Sequence, residues 1–301
     1  MQRNTLMLLA GGVVLLLFVA FAAGVFDDAS TLDLPTLAVE PEAVDSLAVQ
    51  WPGHALTLVR HPDGWHLRTP RSGRADSTTV ANLLRSLAAL TPEALATTSP
   101  ERFARYGIDS TARAVTLYPH DDEPLHLTLG KNGPDFQSIY VRLGGEPRVL
   151  LAKGRPAFPT SAEAWRDKTV VHLRPAALQH VEVVTPESSY TLARNENRWL
   201  LHRDGSAEAA DSAAVARWLN RFAPLRADGF LDDTTAVSIR EAPTHTLTFT
   251  LADGSTRRLL GRTSDQHLGL LDEANPSEVY RFYAYRRANL FPEASSLKSG
   301  R

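Results

Sequence analysis

The chain has 301 residues, 43 % of them hydrophobic, and its 32 basic and 34 acidic side chains leave a formal net charge of −2. Such a length suits two domains of roughly 150 residues, while the even charge argues against a nucleic-acid binder and the apolar fraction against disorder. Having no cysteine, the chain cannot form disulfides, thiolate metal sites or a cysteine nucleophile.

Thr5 to Phe26 form an uncharged run of 22 residues, 18 of them apolar. At about 1.5 Å per residue this reaches roughly 33 Å, enough for the ~30 Å hydrocarbon core of a bilayer. A cleaved signal peptide is the alternative, because Ala20-Phe21-Ala22 resembles a cleavage site. A signal core, however, normally spans only about 7–15 residues. We therefore read residues 1–26 as an anchor. Arg3 precedes it, and Asp27, Asp28, Asp33 and Glu40 follow. By the positive-inside rule the N-terminus is cytoplasmic and residues 27–301 lie outside. Residues 27–40, acidic and interrupted by Pro35, read as a tether; an irregular first turn of the domain is the alternative for 32–39.

From residue 41 the chain repeats itself. Pro41, Val44, Leu47 and Val49 match Pro175, Leu178, Val181 and Val183, and the same offset carries Trp65 onto Trp199 and Leu67 onto Leu201. Asp76 then meets Asp211, followed by Val80, Leu83, Leu84, Leu87 and Leu90 against Val215, Trp218, Leu219, Phe222 and Leu225. Gly130 is paired with Gly261 through Leu129-Gly-Lys131 and Leu260-Gly-Arg262, and Phe158-Pro159 with Phe291-Pro292. The boundaries read as a first module at 41–173, a second at 174–294 and a polar tail at 295–301.

Alternation predicts strands over 47–51, 56–58 and 65–67, with turns at Pro52-Gly53 and Asp63-Gly64. Asp76 is a candidate N-cap, and the apolar stripe from Val80 to Leu90 predicts an amphipathic helix. Four more strands are expected at 114–118, 125–129, 139–143 and 148–151. The second copy repeats this with strands at 181–184, 190–192 and 199–201, a helix after Asp211, and strands at 244–251, 256–260, 267–271 and 279–282. Short helical pieces are expected at 100–106, 161–165 and 283–290. Strand runs joined by short turns favour antiparallel pairing, so the class is α+β.

Six residues stand out as markers of the repeat: Trp65, Trp199, Asp76, Asp211, Gly130 and Gly261. Exposed tryptophans stack on sugars or bases, but alternation with Leu67 and Leu201 favours core packing for both. The glycines read as turn residues ending a strand. His120-Asp121-Asp122-Glu123 is the best local metal candidate, although an acidic hairpin loop is the ordinary explanation. Ser295-Ser-Leu-Lys298 fits S-x-x-K without the partner motifs a catalytic serine would need. Asp232-Asp233 is a carboxylate pair of the kind glycosidases use, but 34 acids make such pairs common. No catalytic, cofactor-binding or metal-binding residue is assigned.

Several segments occur in a recognisable order: Asp63-Gly-Trp65, the Val80–Leu90 helix, Arg105-Tyr-Gly-Ile-Asp109, Leu127-Thr-Leu-Gly-Lys131 and Trp165-Arg-Asp-Lys168. Their order resembles domain-of-unknown-function family 4340. The second copy departs from it, with Asn197-Arg-Trp199 at the turn and a degenerate segment near Val237–Glu241. The resemblance carries no catalytic residues. It implies an exported accessory component of ABC transporters of the gliding-motility type.

The expected function is that of a single-pass bacterial inner-membrane protein, held by residues 5–26, with periplasmic binding or scaffolding modules and an envelope or ABC-transporter partner. It is read as not an enzyme, with no cofactor and no nucleic acid. A periplasmic hydrolase of cell-wall glycan or peptide is one alternative. A solute-binding component with an aromatic-lined cleft between the modules is the other.

Overall fold

The computed structural model describes residues 34–196 and 198–299. The expected anchor at 5–26 lies outside them. Among the described residues no helix is long and apolar enough to cross a membrane.

The fold mixes helices with antiparallel sheets, and two large sheets dominate it. The first uses β1 (Val44–Trp51), β2 (His54–His61), β3 (Gly64–Thr69), β4 (Gly73–Arg74), β5 (Thr91–Thr97), β6 (Arg113–Pro119), β7 (Leu125–Asn132), β8 (Ser138–Leu143) and β9 (Val149–Lys153). Helix α1 (Ser77–Ala88) separates β4 from β5. Thr169–Val171 forms the short β10 in the connection between the sheets. The second sheet uses β11 (Leu178–Val184), β12 (Ser189–Asn195), β13 (Arg198–Arg203), β14 (Ser206–Ala209), β16 (Gly229–Phe230), β17 (His245–Leu251), β18 (Thr256–Thr263), β19 (His267–Asp272) and β20 (Asn275–Tyr283). Helix α2 spans Ser212–Leu219 and α3 spans Asp233–Glu241, while β15 (Leu225–Arg226) pairs with β10.

The strand order is β4-β3-β2-β1-β6-β7-β8-β9-β5 in one sheet and β14-β13-β12-β11-β17-β18-β19-β20-β16 in the other. Position for position these are the same path. The reason lies in shared local chemistry. Asp76 accepts the Thr79 amide at 2.9 Å and starts α1, whose Val80, Leu83, Leu84 and Leu87 are buried on the sheet. Asp211 accepts the Ala213 and Ala214 amides at 2.9 and 3.1 Å and starts α2, which buries Val215, Trp218 and Leu219. Each helix lies over one face of its sheet and seals a separate core.

Three boundaries differ from expectation. Leu37 and Val39, within the expected tether, are buried in the first core, and Leu34 packs against it. Val170, Val171 and Leu173, assigned above to the first module, belong to the second core instead. These are the same lead-in twice: Leu37-x-Val39-x-Pro41 corresponds to Val171-x-Leu173-x-Pro175. Nor is 295–301 a polar tail throughout. Ala294 and Leu297 are buried in the second core, and the Asp211 amide donates to the Leu297 carbonyl at 2.9 Å. The segment repeats one in the first unit, where Trp165 is buried and its carbonyl accepts the Asp76 amide, also at 2.9 Å.

Sequence periodicity missed short or polar elements: β4, β5, β14, β16 and α3. Among its residues whose burial is described, helix α3 buries Ala236 and Ile239, too few for a visible stripe, against Leu260, Leu271 and Val279 of the second sheet. The β13–β14 turn did carry a signal, since Asp204-Gly205 takes φ +52° and +76° as a two-residue hairpin requires.

Candidate functional site

Trp65 and Trp199 are both 7 % exposed and belong to the two cores, so neither offers a stacking face. Arg60 covers the Trp65 ring at 5.0 Å. Gly130 and Gly261 are not equivalent. Leu127 pairs with Val115 where Leu259 pairs with Leu247, so Leu129 corresponds to Gly261 and Gly130 is one residue out of step. A one-residue slip reverses the face. Gly130 admits the backbone of Tyr106, whose carbonyl oxygen would lie 2.3 Å from an added Cβ. Gly261 faces Leu270, Leu268 and His245 in the second unit.

The remaining candidates resolve into local structure. His120 takes the Asp45 carboxylate at 2.7 Å, and that bond raises its pKa. Among the described residues, no three His, Asp or Glu side chains are grouped to hold a metal ion. Asp232 caps α3, accepting from the Thr234 and Thr235 hydroxyls at 2.7 and 2.8 Å and from the Thr235 amide at 2.9 Å. Those bonds hold its carboxyl below the usual range. Ser295 donates to Glu293 at 3.2 Å, whereas Lys298 pairs with Glu208 at 2.7 Å, so the S-x-x-K serine and lysine face different partners.

A polar cluster lies at the seam between the sheets, which sequence reading did not find. Its residues come from separate parts of the chain and are joined only by the fold. Arg166, just beyond the buried Trp165, forms an ion pair with Glu278 on β20 and lies 3.5 Å from the Phe230 ring centroid. Arg226 reaches back from β15 to the cap residue Asp76 at 2.8 Å. Burial disfavours the charge on Asp76, but the Thr79 amide and Arg226 outweigh it and hold the carboxyl below its ordinary range. Arg71 donates to the Ser277 carbonyl at 2.8 Å. Arg74 faces Asp167 at 3.6 Å. Gly73 lets the chains close up, because a Cβ there would stand 2.8 Å from a Glu278 carboxylate oxygen.

These groups border a cleft of about 630 Å³ whose lining includes Arg74, Asp167, Arg257, Asp272, Glu278 and Tyr280. Asp272 is fully buried and paired with Arg257. Burial is the largest influence on it and raises its pKa, against the Ala274 amide and Arg257. Burial likewise pushes the Tyr280 hydroxyl up. A displaced carboxyl in a cleft is what general acid catalysis requires. This one has no exposed surface, so it cannot touch a substrate in the cleft as it stands. Tyr280 is the one Phe, Trp or Tyr in the lining, unlike the aromatic-lined cleft expected of a solute binder.

Residues 65–248 match the family described as Domain of unknown function (DUF4340). The chain belongs to that family. The match runs from β3 through the seam to β17, and so includes parts of both sheets. No curated protein and no solved structure matches the chain.

Proposed function

We propose that this protein is a membrane-anchored, exported, non-catalytic binding or scaffolding protein, acting as an accessory subunit of an envelope or ABC-type transport complex. The two units are read as copies of one ancestral module. Their common strand path and repeated lead-in support that reading.

The observation that carries the scaffolding role is the pairing of the seam's charges. Arg166 with Glu278, Arg257 with Asp272 and Arg226 with Asp76 are bound to each other. The first and third pairs tie the two sheets together, and the second braces β18 against β19 within the second sheet. A hydrolase would need convergent polar groups turned toward a substrate. The test is in-cell crosslinking of the tagged full-length chain, detergent purification and mass spectrometry of what accompanies it. Reproducible recovery of a permease or other envelope subunit supports the role. Recovery of the chain alone, at native expression and with efficient crosslinking, overturns it.

A further inference from the structure

The two sheets differ at the end where β7 meets β8 and β9 finishes. In the first sheet a groove of about 480 Å³ is lined by Arg113, Lys131 and Arg155 together with Thr111 and Asn132; no carboxylate lines it, but Asp109 stands at its edge, accepting the Thr111 hydroxyl at 2.6 Å. None of the three cations is in a direct ion pair among the described residues, though Lys131 is near enough to Asp109 to lower the pKa of that carboxyl, behind the larger effect of its bonds to Thr111. Arg113 lies over the Phe158 ring at 5.5 Å, and Lys131 donates to the Arg105 carbonyl at 3.4 Å. Lys153, exposed at the end of β9, adds a fourth positive charge at this end.

The hairpin following Asn132 carries Phe136, which is 68 % exposed at φ +58°. A bulky side chain in the left-handed region is a backbone outlier that persists only when its surroundings impose it. Here they do. One Asp135 carboxylate oxygen accepts the Gln137 and Ser138 amides at 3.0 Å each and the Ser138 hydroxyl at 2.5 Å. The Gly133 amide donates to the Ser138 carbonyl at 2.8 Å, and the Gly154 amide to the Gln137 carbonyl at 2.8 Å. The loop is therefore built to hold an apolar ring in water.

The second sheet is equipped differently at this end. By strand register Arg113 corresponds to His245, which is buried, and Lys131 to Thr263. Ser138 pairs with Lys153 where His267 pairs with Tyr283, so Lys153 and Arg155 correspond to Tyr283 and Tyr285. The hairpin is also shorter in the second sheet and has no counterpart of Phe136. The three cations and the loop-held Phe136 thus belong to the first unit, whereas the matching end of the second exposes Tyr283 and Tyr285 and lines its groove with Arg287 and the carboxylate of Asp265.

We infer that this end of the first sheet is a docking face for an anionic phospholipid surface: Arg113, Lys131 and Arg155 meet headgroup phosphates, and Phe136 enters the interface. Charge complementarity selects that occupant. Three cations in the lining outnumber the one carboxylate at the groove's edge and attract anionic headgroups, and an adjacent aromatic ring partitions into the headgroup–acyl boundary. The docking face goes beyond the accessory role and does not depend on the identity of a protein partner.

The absence of cysteine makes a single-label test direct. The full chain carrying Gln137→Cys, with Phe136 intact, is labelled with an environment-sensitive fluorophore. It is reconstituted with vesicles of phosphatidylcholine, with or without phosphatidylglycerol. The expected result is a blue-shifted, severalfold brighter emission with phosphatidylglycerol, lost in Phe136→Ser and in Lys131→Glu/Arg155→Glu. Emission unaffected by phosphatidylglycerol overturns the proposal, as does an equal change produced by soluble glycerol phosphate. Flotation scores anchoring separately. A chain that floats on phosphatidylcholine while its label stays in water on both lipids keeps the anchor and loses the docking face. One that floats only on phosphatidylglycerol with its label buried keeps the docking face and loses the anchor.

Discussion

The two sheets follow one path but place their bulk differently. The first unit has Leu83 and Leu87 on its helix and buries Trp165 on the strap that closes the core. In the second, Trp218 and Phe222 take the helix side, and the strap offers Leu297. Trp218 is fixed by donating to the Leu290 carbonyl at 3.1 Å. A large ring packs from the strap in one unit and from the helix in the other, along the same backbone route. A core is specified by total volume and pattern before residue identity, so both arrangements can fill the same kind of space.

The comparison breaks most directly at the strap. Trp165→Ala is expected to cost roughly 3–5 kcal/mol, as large-to-small changes of a buried aromatic do, measured by denaturant unfolding. In the second unit Trp218→Leu should cost roughly 2 kcal/mol, and adding Leu297→Trp should recover part of that. No recovery in the double variant would mean that strap and helix do not share one space.

A smaller effect separates the glycines. Gly130→Ala must displace the Tyr106 backbone and should cost about 2–3 kcal/mol, whereas Gly261→Ala meets the end of the Leu270 side chain, 2.9 Å away, and should cost about 1 kcal/mol. Equal losses would restore the sequence pairing of these two residues.

Asp76 and Asp211 should also differ. Either change to Ala removes an N-cap worth about 1 kcal/mol, but only Asp76 is tied across the seam to Arg226. Because the folded pKa of Asp76 is lowered, its contribution is present above the unfolded value near 3.9 and is lost as pH falls through the folded one. Asp76→Asn should therefore flatten the acid limb of the stability curve.

His245 gives the smallest effect, confined to the second unit. Burial lowers its pKa, reinforced by Arg287 and opposed by Glu187. Its neutral form is the folded one. Stability should be full above the unfolded pKa of about 6.5 and decline as pH falls below it. His245→Phe should remove that slope, read from melts between neutral and mildly acidic pH.

The contrast also explains what sequence could reveal. Caps at Asp76 and Asp211 and stripes such as Val80–Leu87 are local, so helices and hairpins were legible from them. Lead-ins such as Leu37-x-Val39 were legible in principle through their match to Val171-x-Leu173, but they are too short to show a period alone. The Gly130–Gly261 pairing failed because similar tripeptides end strands of different phase, and only ladder register reveals which face a residue takes. The seam was not legible at all. Arg166 and Glu278 are far apart in the chain, and nothing local to either announces the other.

Arg166–Glu278 and Arg226–Asp76 tie the two sheets together across the seam, and an inter-sheet distance measurement probes that joint. Spin labels at Gln50→Cys on β1 and Glu182→Cys on β11, both exposed positions, are free of background because the chain has no cysteine. The expected result is a single narrow distance distribution by pulsed dipolar spectroscopy, broadened when Arg166 and Arg226 are both changed to Ala. A broad distribution in the parent chain, or one unmoved by the double change, would contradict it.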